Sequence, residues 1–149
     1  MDETLERLLR ERGLQLAPLG RRVVAYAIDD MLISLLFVVA LWDRIALAQT
    51  PEAVALLVNQ VWLYIVMVKI LYHTLFVWQY GASLGKMAMK MRVVWIPTGH
   101  IPPLAPSFNR AIFRVISEMV FYLGFVWAFF DPAKQAWHDK TAATLVVDA

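Results

Sequence analysis

Residues 21–41 read RRVVAYAIDDMLISLLFVVAL: two arginines, then an apolar run into which two adjacent aspartates, Asp29 and Asp30, are set. From Val23 to Leu41 the run reaches the roughly 18 apolar residues that a helix needs to cross a bilayer. Both carboxylates then lie in hydrocarbon, where an acidic residue at the helix centre costs roughly 2.5 to 3.5 kcal/mol. They require pairing, hydration or protonation, and the partners must come from the rest of the chain.

Composition sets the class. The chain has 149 residues, 60% of them hydrophobic and 17% charged, against about 45–50% and about 25% in soluble domains. It reads as an integral membrane protein, a short N-terminal segment over residues 1–17 followed by one membrane domain over 18–149. The chain has no cysteine, which excludes disulfides, thiolate metal sites and a cysteine nucleophile. Its net charge of +2 and cations near the ends of apolar runs speak for topology rather than nucleic-acid binding.

Asp2 to Arg12 carries Leu5, Leu8 and Leu9 on one stripe behind a capping aspartate and stops at Gly13, the pattern of a short amphipathic helix. It is expected to be frayed or interfacial rather than a partner-binding helix. Ala46-Leu47-Ala48 has the form of a cleavage site, but the run before it is longer than a signal h-region and holds two aspartates, so it is a retained span over about 22–41. Residues 46–60 read as a loop holding a short helix, with Pro51 in its first turn. A second span covers Val61 to Trp78, flanked by Trp62 and Trp78, with Lys69 and His73 one turn apart inside it.

Gln79 to Arg110 contains Lys86, Lys90, Arg92 and Arg110 and no acidic residue, so the positive-inside rule places it and the N-terminus in the cytoplasm. Its glycines are too close for a phosphate-binding loop and Met87 replaces the required hydroxyl, which removes nucleotide binding. The expectation is a turn at Gly81, a surface helix with Leu84, Met87, Ala88 and Met91 inward and Lys86 and Lys90 toward headgroups, and a strand from Arg92 to Ile96. The third apolar run, about residues 111–130, carries Arg114 and Glu118 one turn apart. It either spans or is broken by Gly124 into a re-entrant hairpin. Only the hairpin lets the β-like run Thr144 to Val147 pair with Arg92 to Ile96, and the balance favours it. The fold class is an all-α membrane protein of three hydrophobic segments with small β-like pieces.

These motifs, in this order, resemble the RDD family of small bacterial membrane proteins. The family's arginine matches Arg22 (or Arg21), its first aspartate Asp29 (or Asp30), and its second aspartate Asp139 in AWHDKTAATLVV. GASLGKMAMKMRVV resembles the family's glycine-lysine segment. The resemblance spans about residues 19–147, departs at Ala143 where the family tends to have glycine, and implies an inner-membrane location and a role in transport.

Arg22 and Asp29 lie on one face, about 10 Å apart along the axis, with Tyr26 between to bridge them. Asp29, Asp30, Lys69 and Glu118 fall at one depth, with His73 and Arg114 shallower. Asp29, Asp30 and Glu118 against Lys69 and Arg114 leave one uncompensated negative charge, for a proton, a cation or protonated His73 to neutralise. Two adjacent carboxylates resist joint ionisation, so Asp29 should stay charged on the Arg22 stripe and Asp30 take the proton unless Lys69 reaches it. His138 and Asp139 are expected to clamp the tail to a cytoplasmic surface that includes Gly81, Gly85 and Lys86, rather than to catalyse. No cofactor and no metal are expected. The functional readings are an oligomeric proton, cation or small-solute transport component, and a non-catalytic accessory or scaffold subunit of a larger membrane complex. Its partners would be lipids and further copies or another membrane protein, with no nucleic acid. An intramembrane enzyme is disfavoured.

Overall fold

A computed structural model describes residues 2–120 and 122–149. Two of its helices are long and apolar enough to cross a membrane. Helix α2, Leu19–Ala40, starts behind Pro18 and buries Ala25, Asp29 and Ile33, one residue per turn along a single face. Most of its remaining apolar residues are exposed, Met31 by 71%, which suits contact with lipid.

Helix α4, Pro51–Tyr80, is preceded by the short helix α3, Trp42–Leu47. The expected loop over residues 46–60 is therefore largely part of the span. Thr50 caps α4 by accepting from the Ala53 amide at 3.2 Å, and Pro51 occupies the first helical position. From there no residue is a strong helix breaker until Gly81, whose left-handed φ of 72° ends the helix. Thirty residues make a rod about 45 Å long, longer than the roughly 30 Å hydrocarbon core.

The third run is not a straight span. Helix α6, Leu104–Met119, begins ahead of the apolar run because prolines are tolerated in a first helical turn. It is inverted, burying Ser107, Arg110, Arg114 and Ser117 along with Ala111 and Val115. A second piece, α7 (Leu123–Val126) with a 3₁₀ turn at Trp127–Phe129, lies at 109° to it. The bend falls before Gly124, at a position where Tyr122 is left-handed with φ 62°. Gly124 itself permits close packing: a Cβ there would strike the Ser117 side chain and come within 2.9 Å of Trp137.

The chain thus returns to the side it left. Strand β1, Met91–Trp95, pairs antiparallel with β2, Thr144–Asp148, in the register Met91 with Asp148 through Trp95 with Thr144. Leu5 of α1, Glu3–Glu11, is buried against Val94, Leu145 and Val147, with Leu8 and Leu9 beside it. The N-terminal helix is therefore docked on the sheet rather than frayed, its apolar stripe covering the sheet's outer face. Ala17 donates to the Val146 carbonyl at 3.1 Å, fixing the start of α2 to the same strand. Sheet, α1, α5 (Leu84–Ala88) and α8 (Trp137–Ala142) form a polar cap on one end of the helical hairpin.

Candidate functional site: a buried charged layer beneath the cap

Asp29 is 1% exposed and saturated by neutral donors. Its Oδ1 accepts from Tyr72 Oη at 2.6 Å and the Gly85 amide at 2.8 Å, and its Oδ2 from Ser83 Oγ at 2.6 Å. The expected Arg22 to Asp29 pair does not form, nor does the Tyr26 bridge; Tyr26 instead donates to Glu118 at 3.1 Å. The reason lies in α5. Ser83 caps it, and the backbone of Gly85 crosses α2 so closely that a Cβ would meet the Ala25 carbonyl and stand 2.9 Å from Asp29 Oδ1. That contact turns α5 over. Gly85 and Lys86 face inward while Leu84, Met87 and Ala88 are exposed, against the expected roll of this helix, whereas Met91 is buried and Lys90 exposed as expected.

Arg22 reaches the tail. It donates to the carbonyls of Lys134 and Val146, the latter at 3.1 Å, and its Nη1 stands 3.7 Å from Asp139. Arg21 points elsewhere, to Asp148 at 2.6 Å and the Lys90 carbonyl at 2.8 Å. Asp139 pairs chiefly with Arg110, accepts from the Ala136 amide at 3.1 Å, and is 1% exposed. Burial alone would raise its pKa, but Arg110 and Arg22 override it and hold the carboxyl well below the usual range. Burial also pushes His138 well below 6.5, leaving its ring neutral. Gly81, Gly85, Lys86 and His138 are all buried rather than at a surface.

Lys69 stands between two carboxylates, 3.1 Å from Asp30 and 2.8 Å from Glu118. It reaches the aspartate for which a proton was the alternative. His73 is buried but is not part of this trio. Arg114 is 5% exposed, and its guanidinium lies 5.4 Å from the ring centres of both Tyr26 and Phe125. Its Nε and Nη2 have no hydrogen-bond partner among the described residues.

The balance of charge is reversed from the sequence expectation. Arg22, Arg110 and Lys86 join Lys69 and Arg114, while only Asp139 joins Asp29, Asp30 and Glu118, so the layer carries a surplus of positive charge. The odd group is Lys86, 6% exposed, whose pKa burial and the neighbouring Arg114 and Arg110 lower to about 7 despite Asp29 and Asp139. A cavity of about 220 Å³ lies beside it, lined by Arg22 and the buried Lys86, Arg114 and His138 on one hand and by the exposed Val23 and Phe129 on the other. Among the described residues no group of three or more His, Asp or Glu side chains is placed to hold a metal ion.

Arg22, Asp29 and Asp139 thus sit at the joints between the spans and the cap. The RDD family model matches residues 16–143. The chain belongs to the RDD family. An uncharacterised protein of Rickettsia prowazekii (strain Madrid E) is 32% identical over 71 residues, 47% of this chain and 39% of that relative. The chain therefore aligns with well under half of that relative's length. No solved structure gives a significant match.

Three residues of the layer escaped the sequence reading. Tyr72 and Ser83, two of the donors to Asp29, carry no charge, and Arg110 was read as one of the basic residues that set the topology rather than as the partner of Asp139. Ser83 did leave a signal, a capping residue two positions ahead of the Gly85-Lys86 pair.

Proposed function

We propose that this RDD protein is a non-catalytic membrane-embedded binding component that takes an anionic solute at the cytoplasmic end of its helical hairpin. The observation that carries the reading is Arg114, whose buried guanidinium has two nitrogens without a partner among the described residues, in the lining of a cavity. Unpaired buried cations cost several kcal/mol, and an anion with good hydrogen-bond geometry offsets that cost. The basic residues of Gln79 to Arg110 support an orientation with the cap on the cytoplasmic side of a bacterial inner membrane. Three hydrophobic segments do not enclose a path, so a transport role needs further copies or a larger complex. The test is calorimetric titration of inorganic phosphate into protein in nonionic micelles. Saturable binding lost in Arg114→Met supports the reading, and no saturable binding to the wild type counts against it.

A second reading keeps the carboxylates as a proton or cation site. It is favoured by Lys69, a single ammonium shared between Asp30 and Glu118, which leaves one negative charge in that trio. Reconstituted protein should then move protons in a cation-dependent way, and Asp30→Asn should abolish the movement. Unchanged flux in that variant removes the exchanger.

A further inference from the structure

The cavity has two chemically different ends. Its inner end holds Arg22, Lys86 and Arg114, with Arg114 and Lys86 only 5% and 6% exposed. Its mouth is apolar and bare: Val23 is 55% exposed and Phe129 58%. Val23 lies in the first turns of α2, at the border where a spanning helix leaves the headgroup region. A free anion has no use for an apolar mouth at that depth. An amphiphile uses both ends, its charge on the guanidinium and its chain along Val23, Phe129 and the lipid-facing side of α2.

The size of the charge narrows the class. Protonated Lys86 leaves the layer one positive charge in excess of its four carboxylates, so one negative charge completes it. Arg114 offers two free N–H directions on one planar group, the fork that matches two oxygens of a phosphate. Resting on the anion-binding reading above, we infer that the ligand is an anionic phospholipid whose phosphodiester sits on Arg114 and Lys86, with its acyl chains leaving through the mouth between Val23 and Phe129. A zwitterionic lipid carries the same phosphodiester, but its ammonium adds positive charge beside a cluster already in surplus, and it is disfavoured.

Native mass spectrometry and thermal unfolding in nanodiscs test this with three probes: phosphatidylglycerol, phosphatidylcholine and free inorganic phosphate. Phosphatidylglycerol should be retained about tenfold more strongly than phosphatidylcholine, a difference of about 1.4 kcal/mol. Arg114→Met should remove the preference. Because that variant also deletes a buried charge, Val23→Trp is a second probe; it fills the mouth, leaves the cations in place, and should weaken lipid retention while sparing inorganic phosphate. If phosphate binds as well as phosphatidylglycerol and Val23→Trp weakens neither, the anion site stands and the lipid is overturned. Equal lipid retention by the wild type and both variants marks a general surface effect and also overturns it. Failure of every probe removes the anion reading as well.

Discussion

Replacing Lys86 by methionine should make the protein both more stable near neutral pH and less sensitive to pH. Unfolded, the lysine holds its proton up to about 10.4; folded, burial and the nearby Arg114 and Arg110 bring the pKa to about 7. Between those values folding expels a proton, the unfolded state binds more of them, and stability rises with pH. At 1.36 kcal/mol per unit, the wild type should gain about 2.5 kcal/mol between pH 7.5 and 9.5. The groups that face the ammonium are Arg114 and Arg110 on α6, Asp29 on α2, His73 on α4, and Asp139 and His138 on α8, so no single partner sets the effect. The assay is denaturant unfolding in nonionic micelles free of anionic lipid, run on both proteins across that range. Lys86→Met should be the more stable at pH 7.5, and its curve should be nearly flat. Parallel curves for the two proteins would refute a buried, cation-crowded Lys86.

Other substitutions probe the backbone and the topology. Ala143 is left-handed at φ 53° and ψ 53°, which costs an L residue about 1–2 kcal/mol. After the larger unfolded-state entropy of glycine, about 0.4–1 kcal/mol, Ala143→Gly should raise stability by roughly 0.5–1 kcal/mol, and a lowered unfolding midpoint would contradict the conformation. Gly85→Ala should destabilise by about 1–3 kcal/mol, because the new methyl meets the Ala25 carbonyl rather than a side chain that can move; a neutral result would mean that α5 does not cross α2 there. With no native cysteine, the single substitutions Lys90→Cys and Ala149→Cys should react with a membrane-impermeant thiol reagent from the same side, and Gln49→Cys from the other. Labelling of Ala149→Cys and Gln49→Cys from one side would show that the third run spans.

What the chain disclosed in advance was set by local patterns of hydropathy. The first span was legible from Val23 to Leu41 because the run is as long as a bilayer-spanning helix requires and the chain is too short to bury it in a large core. The start of the second was misread because a capped helix and a polar loop begin with the same residues, Thr50-Pro51-Glu52, and only the absence of a later breaker separates them. The charged layer was legible as membership of one depth, and Lys69 does stand with Asp30 and Glu118. Its other pairings were not. Which acid Arg22 reaches depends on how α5 is rolled, and that is decided by a steric contact of Gly85 with α2, a long-range event with no periodicity in sequence. Apolar faces predicted Leu84 and Met87 inward, but lipid and protein interior are equally apolar, so hydrophobicity does not choose between them.

The pairing of β1 with β2 also has a history in time. Arg22 and its acceptor on β2, the Val146 carbonyl, are separated by 124 positions in the chain, so at a synthesis rate of about 5–20 residues per second the arginine waits roughly 6 to 25 s for that partner to exist. Through that interval Arg22 lacks its tail acceptors, and Arg110, once made, waits for Asp139. Asp29, on the hairpin itself, already faces Lys86 during this time, whereas Arg22 has no such carboxylate until the tail arrives. A chain halted upstream of Thr144 would stay in that condition, with β1 unpaired and Arg22 without the Val146 carbonyl.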